Sequence, residues 1–244
     1  MPTPQTLLVY ADHPEADAFI SADPLALLIG MVLDQQQTIE RAFTAPFDLV
    51  HRLGRPAIVG SLDAGELATM DPDALATLFA IVPALHRFPR SMAKRTQELC
   101  AHIADRYRGN AGEVWATAAT GEELCDRMRV MPGFGEHKAK IFTALVAKRL
   151  GHELPGWVEA SAPFGEEGAL RSVADIDGPE TKARIRALKA EAAAKPAAAK
   201  PAAANQAAAK PAAAKSSGAA TSTATPAATD GSGRGRRPPR NTKR

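Results

Sequence analysis

The sequence predicts an all-α body that buries one core or two lobes, followed by a disordered basic tail. Three observations lead there. Apolar residues recur three and four apart in segment after segment, the period of a helix with one buried face. The pairs Asp23-Pro24 and Asp71-Pro72 stand where helices start, and Gly54 and Gly109 where they stop. After Leu188 the chain turns into alanine, lysine and proline repeats that have no core to bury.

With 244 residues, 45% of them hydrophobic, the chain is long enough for such a core even without its tail. The net charge of +3 conceals a division. From Lys189 onward eleven Lys and Arg face two acids, a charge of +9, which leaves 19 cations against 25 acids, or −6, in the body. A nucleic-acid groove on that body is therefore a local patch, and long-range attraction belongs to the tail. The two cysteines, Cys100 and Cys125, lie in separate helical segments and cannot supply the four thiolates of an iron-sulfur cluster. No basic leader precedes an apolar stretch, and no apolar run reaches the roughly 18 residues of a membrane span. A soluble, cytoplasmic protein without a membrane partner is expected.

Taken in order, Thr6 to Tyr10 reads as a short strand, ending in the turn Ala11-Asp12-His13-Pro14. Asp12 and His13 suit a turn or a helix cap better than a metal or catalytic pair. Asp17 to Ile20 is a brief helix. Asp23 caps the next one, and Leu25 to Leu33, apolar on nearly every side, reads as a central buried helix. Glu40 to Thr44 is helical, Pro46 begins a further segment, and helices over Asp63 to Met70 and Asp73 to Val82 follow. Pro83 and Pro89 bracket a turn that holds His86 at the surface or at a cap. Ser91 to Tyr107 is the second long helix, Gly112 to Ala118 a short one with Trp115 in the core. A closing helix runs from Pro179 to Leu188 with Asp177 at its cap, and Asp175 is a metal or catalytic group only if the chain folds it back.

The stretch Leu124 to Leu150 organises the rest. Two helical segments flank Met131-Pro132-Gly133-Phe134-Gly135. Pro132 cannot extend the first, and the glycines permit backbone angles and approaches that a side chain would block. A Gly-rich turn that opens a helix presents N–H groups ahead of the positive end of the helix dipole, and can hold a phosphate.

Apolar-Pro-Gly-apolar-Gly, followed by a polar pair, resembles the helix-hairpin-helix of the base-excision DNA glycosylases, although polymerases, ligases and nuclease subunits use the same hairpin. Together with Asp34-Gln35-Gln36, Pro155-Gly156-Trp157 and Ser172-Val173-Ala174-Asp175-Ile176-Asp177, it resembles an actinobacterial branch of the HhH-GPD superfamily, which has the endonuclease-III-like fold, over about residues 6 to 190. The resemblance implies a two-lobed, all-α glycosylase-like fold for residues 1–190, with 191–244 as the disordered basic tail. It implies that Gly133, Phe134 and Gly135, with His137 and Lys138, hold the backbone of double-stranded DNA, partly through a sodium or potassium ion at the hairpin carbonyls. No other metal or cofactor is expected. It also implies that Gln36 fills the space left by a flipped nucleotide, or Gln35 or Gln37 if the register shifts by one.

Relatives that also cut the strand carry a lysine at the second residue after the last hairpin glycine, where this chain has His137. Lys138 is one place later, about 100° around a helix. The aspartate expected roughly 18 residues on from that position falls at Pro155. Glu159 could supply the carboxylate that stabilises charge on the sugar, with Asp34 and Glu153 as substitutes. The resulting expectation is a monomeric, monofunctional DNA N-glycosylase of base excision repair. The alternatives are a catalytically silent DNA- or lesion-binding protein, and a hairpin used for protein contacts. The tail resembles those of linker histones and nucleoid proteins, which implies salt-dependent attachment to DNA in the nucleoid, the other reading being a solubility tail.

Overall fold

The computed structural model describes residues 7–194, and the expectations for the tail beyond that lie outside the described residues. Eleven helices follow in order among them: α1 (Pro14–Ala22), α2 (Pro24–Leu33), α3 (Ile39–Arg52), α4 (Ala64–Thr69), α5 (Pro72–Ala80), α6 (Pro89–Tyr107), α7 (Glu113–Ala116), α8 (Gly121–Arg129), α9 (Glu136–Leu150), α10 (Trp157–Ala160) and α11 (Pro179–Ala194). A 3-10 turn, Val173–Asp175, precedes the last.

The starts follow local chemistry. Asp23, Asp63 and Asp71 each accept the N–H three residues on, opening α2, α4 and α5, and a proline in the first turn of α2 and α5 gives up no helical bond. His13 does the same for α1 through Nδ1, which settles its role as a cap. In α2 every residue from Leu25 to Leu33 is buried, so the helix that looks apolar all round is central. One group of helices is built from α4 and α5 packed on α6, with α1 and α3 against α2 and α2 against α6; α8, α9 and α10 form a second, with the 3-10 turn on α9.

Four expectations are corrected. Residues 7–10 form no strand, and no strand occurs among the described residues. The apolar run is extended coil whose N–H groups go to side chains: Leu8 donates to Ser21 Oγ, and Tyr10 and Ala11 both donate to Asp17 Oδ1. Burial raises the pKa of Asp17, and those two N–H bonds oppose the rise. Pro46 does not begin a new helix but lies inside α3, which tolerates one missing N–H bond while Pro46 itself is buried. His86 is not at the surface; it is 1% exposed. The closing helix runs on to Ala194, because alanine readily extends a helix that packing has already nucleated.

The ends of the body are fastened together. Tyr10 donates its hydroxyl to Val173 O at 2.8 Å, and Lys182, 4% exposed, donates to Tyr10 O and pairs with Asp12. Asp175 is folded back, but into structure. It caps the 3-10 turn with Ser172 and accepts Lys148 Nζ at 2.7 Å. Asp177 accepts the Thr181 hydroxyl at 2.6 Å.

Candidate nucleic-acid interface

The hairpin closes through two short backbone bonds, Met131 N to Met128 O at 3.1 Å and Phe134 N to Met131 O at 3.0 Å, with Gly133 at φ +85°. Ala139 N donates to Gly135 O, the first bond of α9, which leaves the N–H groups of residues 136–138 without helical acceptors. Gly135 provides no capping side chain, and Gly135, Glu136 and His137 are exposed. These N–H groups are therefore presented at the surface ahead of the helix dipole, the arrangement that suits a phosphate. Phe134 turns inward: it is 8% exposed and packs edge-on against Phe142, so only its backbone faces outward. The His137 ring stands edge-on to Phe164, centroids 5.0 Å apart.

The hairpin seats on the C-terminal end of α2, about a hundred residues earlier in sequence. A Cβ on Gly133 would lie 2.8 Å from Val32 Cγ2, so the glycine is required for the contact. Lys138 Nζ donates to Met31 O at 2.6 Å and Val32 O at 3.0 Å. Burial brings the Lys138 pKa down to about 8, the nearby carboxylate of Asp34 pulls the other way, and Arg95 adds to the fall.

Just beyond α2 the three glutamines part company. Gln35 is held on all sides: its Nε2 donates to Val32 O and lies on Met92 Sδ, its Oε1 accepts from Arg95, and its carbonyl accepts from His86 Nε2 at 2.8 Å. Gln37 bends back to Leu33 O. Gln36, between them, is exposed, with φ +53°. His86 also accepts Phe88 N–H at Nδ1, which assigns the proton to Nε2, and burial lowers its pKa, so the ring is a neutral strut under the loop.

A feature that sequence reasoning missed borders this loop. Ile81, Val82 and Phe88 are 46%, 89% and 44% exposed, an apolar tip tied to the glutamine loop through His86. Arg41 holds the carbonyls of Pro83 and Ala84, Arg52 holds those of Leu78 and Pro83, and the Arg87 guanidinium lies 4.8 Å over the Phe88 ring. Ile81 and Val82 are the apolar end of a segment that reads as helix, and the signal available was Pro83, which ends α5 early.

The carboxylates are dispersed. Asp34 closes α2 at the foot of the Gln36 loop, half-buried and within electrostatic reach of Lys138. Glu159, exposed on α10, lines a separate cleft of about 720 Å³ with Thr120, Glu122, Asp126 and Arg129. Glu153 is exposed in the coil before α10. Cys100 on α6 and Cys125 on α8 are both buried, and burial pushes the Cys100 thiol up to about 12. Among the described residues no three His, Cys, Asp or Glu side chains gather as a metal site, and no single helix is long and apolar enough to cross a membrane.

A hairpin with unspent N–H groups between α8 and α9, joined to a loop that projects a glutamine, defines a helix-hairpin-helix protein. The chain belongs to the HhH-GPD superfamily of base excision DNA repair proteins, whose family model matches residues 29–210. Comparison with curated proteins and with solved structures gave no match.

Proposed function

We propose that this protein is a monofunctional DNA N-glycosylase that flips a damaged nucleotide out of double-stranded DNA and hydrolyses its N-glycosidic bond. The observation that carries the reading is the union of hairpin and glutamine loop at the end of α2, with Gln36 exposed between two anchored glutamines. In this reading the hairpin N–H groups grip one phosphate, Gln36 enters the gap in the stack, and the apolar tip at Ile81 and Val82 lies against the duplex beside it. Asp34 is the carboxylate at the foot of that loop and takes precedence over Glu159, whose cleft is lined by α8 and α10. As the bond to the base breaks, charge develops on the sugar; Asp34 stabilises it and accepts a proton from the water that attacks C1′, while the base leaves with the bonding electrons. His137 is no amine nucleophile and the Lys138 amine is engaged with two carbonyls, so the strand is left uncut. Neutral carbonyl oxygens at the hairpin suit a sodium or potassium ion there. The protein acts as a cytoplasmic monomer held near DNA by its cationic tail.

The test is single-turnover base release by the full chain from duplexes carrying uracil, hypoxanthine, alkylated purines or oxidised bases. Release from one class with an intact strand, abolished in Asp34→Asn and retained in Glu159→Gln, is the expected result. Release abolished in Glu159→Gln alone moves the carboxylate to α10. Tight binding without release from any lesion makes the protein a silent lesion binder.

A further inference from the structure

We propose that Lys138 is a positioning residue, a strap whose ammonium fixes the Gln36 loop to the hairpin instead of binding a DNA phosphate. The inference deepens the reading above and rests on it for the role of Gln36, while the strap itself stands on the accounting of α2's last carbonyls. Gly30 O accepts Asp34 N at 2.9 Å, and Leu33 O accepts Gln35 N at 2.7 Å and Gln37 Nε2 at 3.1 Å. In a continuing helix Met31 O and Val32 O would take the N–H groups of residues 35 and 36. Gln35 N is spent on Leu33 O, and the positive φ of Gln36 turns the chain away from the helix path. Lys138 supplies what is missing, reaching from α9 to both carbonyls, and Val32 O takes the Gln35 side chain as well.

One further contact and the helix dipole make this a strap rather than a chance bond. Gly133 lies against the Val32 side chain, so α2 and the hairpin also touch at the residue whose carbonyl the lysine holds. A cation at the C-terminal end of a helix also meets the negative end of its dipole. The same loop is held from its other side as well: the Arg95 guanidinium is on Gln35 Oε1, and the neutral His86 ring is under the Gln35 carbonyl. Movement of the first turn of α9 onto a phosphate is therefore passed by Lys138 directly into the loop that ends in Gln36. The hairpin's grip and the finger's insertion are one mechanical unit.

The test uses the full chain, undamaged duplex and two readouts that need no base release. One is the slope of log binding constant against log salt concentration for wild type and Lys138→Met; each phosphate contact contributes roughly 0.9 to that slope. The other is amide hydrogen exchange of residues 36–38 in the free protein. The strap predicts an unchanged slope and exchange about tenfold or more faster, as the loop loses its anchor. A slope reduced by about one makes Lys138 a phosphate contact and overturns the proposal, whatever the exchange does. An unchanged slope with unchanged exchange overturns it too. Should Lys138→Met fail to fold by circular dichroism, Lys138→Gln, which keeps a donor for one carbonyl, is judged by the same two readouts and should exchange at an intermediate rate. A protein that passes both readouts and yet releases no base retains the strap and loses the glycosylase.

Discussion

The two hairpin glycines should fail in opposite ways when each is replaced by alanine. Gly133 has φ +85°, where an alanine costs roughly 1–2 kcal/mol over glycine. Its new methyl would also lie 2.8 Å from Val32 Cγ2 and 3.0 Å from Cγ1, so a buried side chain has to move, at a cost of about 1–3 kcal/mol. The sum, about 2–5 kcal/mol, lowers Tm by roughly 4–20 °C in a body of this size. Gly135 differs on each count. Its φ of −124° and ψ of −176° are ordinary extended backbone, and nothing lies within 4 Å of an added Cβ. Gly135→Ala should therefore change stability by less than about 0.5 kcal/mol. It nonetheless places a methyl among the exposed N–H groups that are to meet phosphate, and duplex affinity should fall about tenfold, or roughly 1.4 kcal/mol. The assay is thermal denaturation by circular dichroism beside fluorescence-anisotropy titration of a short duplex, at about 200 mM salt to weaken the contribution of the cationic tail. Gly135→Ala with wild-type affinity refutes the hairpin as the phosphate grip. Gly133→Ala with an unchanged Tm refutes the seat on α2.

Among the glutamines, Gln35→Ala should cost about 1–2 kcal/mol in thermal or urea denaturation, since it strips a partner from Val32 O and from Arg95. Gln36→Ala should leave stability within about 0.5 kcal/mol and slow single-turnover release by tenfold or more; equal stability losses in the two variants would contradict the division between anchor and finger. His86 gives a pH signature. Its pKa is lowered in the folded state by burial, so as pH falls below about 6.5 the unfolded chain binds the proton first, and the stability that the neutral ring provides, whole above 6.5, is lost as pH falls through the folded value. His86→Gln should destabilise by about 1–3 kcal/mol at pH 7.5 and by progressively less toward pH 5, a narrowing that paired urea titrations measure directly.

Local chemistry made much of the fold readable. Asp23, Asp71 and the all-apolar face of Leu25 to Leu33 each announce their structure within a few residues, and the hairpin announces itself in five. What stayed hidden depends on partners far along the chain. His86 meets Gln35 across 51 residues, and Lys138 meets Met31 across 107, so no periodicity or spacing carries either contact. The run from Thr6 to Tyr10 illustrates the same limit. An extended segment that pairs with a strand and one that hangs its N–H groups on a buried carboxylate have the same apolar pattern, and Asp17 decides between them. The register of the glutamines was open by one in either direction, and it is side-chain bonding, invisible in Gln-Gln-Gln, that separates the exposed member from its anchored neighbours. The carboxylate was sought by its distance from the hairpin along α9 and beyond. Such a count leads to Glu159, whereas the nearness of Asp34 to Lys138 comes from the seating of the hairpin on α2, which no count along the chain carries.

The bond between Tyr10 and Val173, with Lys182 closing over Tyr10 and Asp12, also sets a schedule. A ribosome delivers residue 10 first and residues 173 and 182 more than 160 peptide bonds later, so the Tyr10 ring can meet Phe43 early while its hydroxyl waits for Val173 through nearly the whole synthesis of the body. Helices α4 and α5 both pack on α6, all within residues 64–107, and can assemble early, whereas the bonds of Val173 and Lys182 to the N-terminal segment form last. A chain cut short before α11 would keep the Tyr10–Val173 bond and lose the Lys182 half of that fastening.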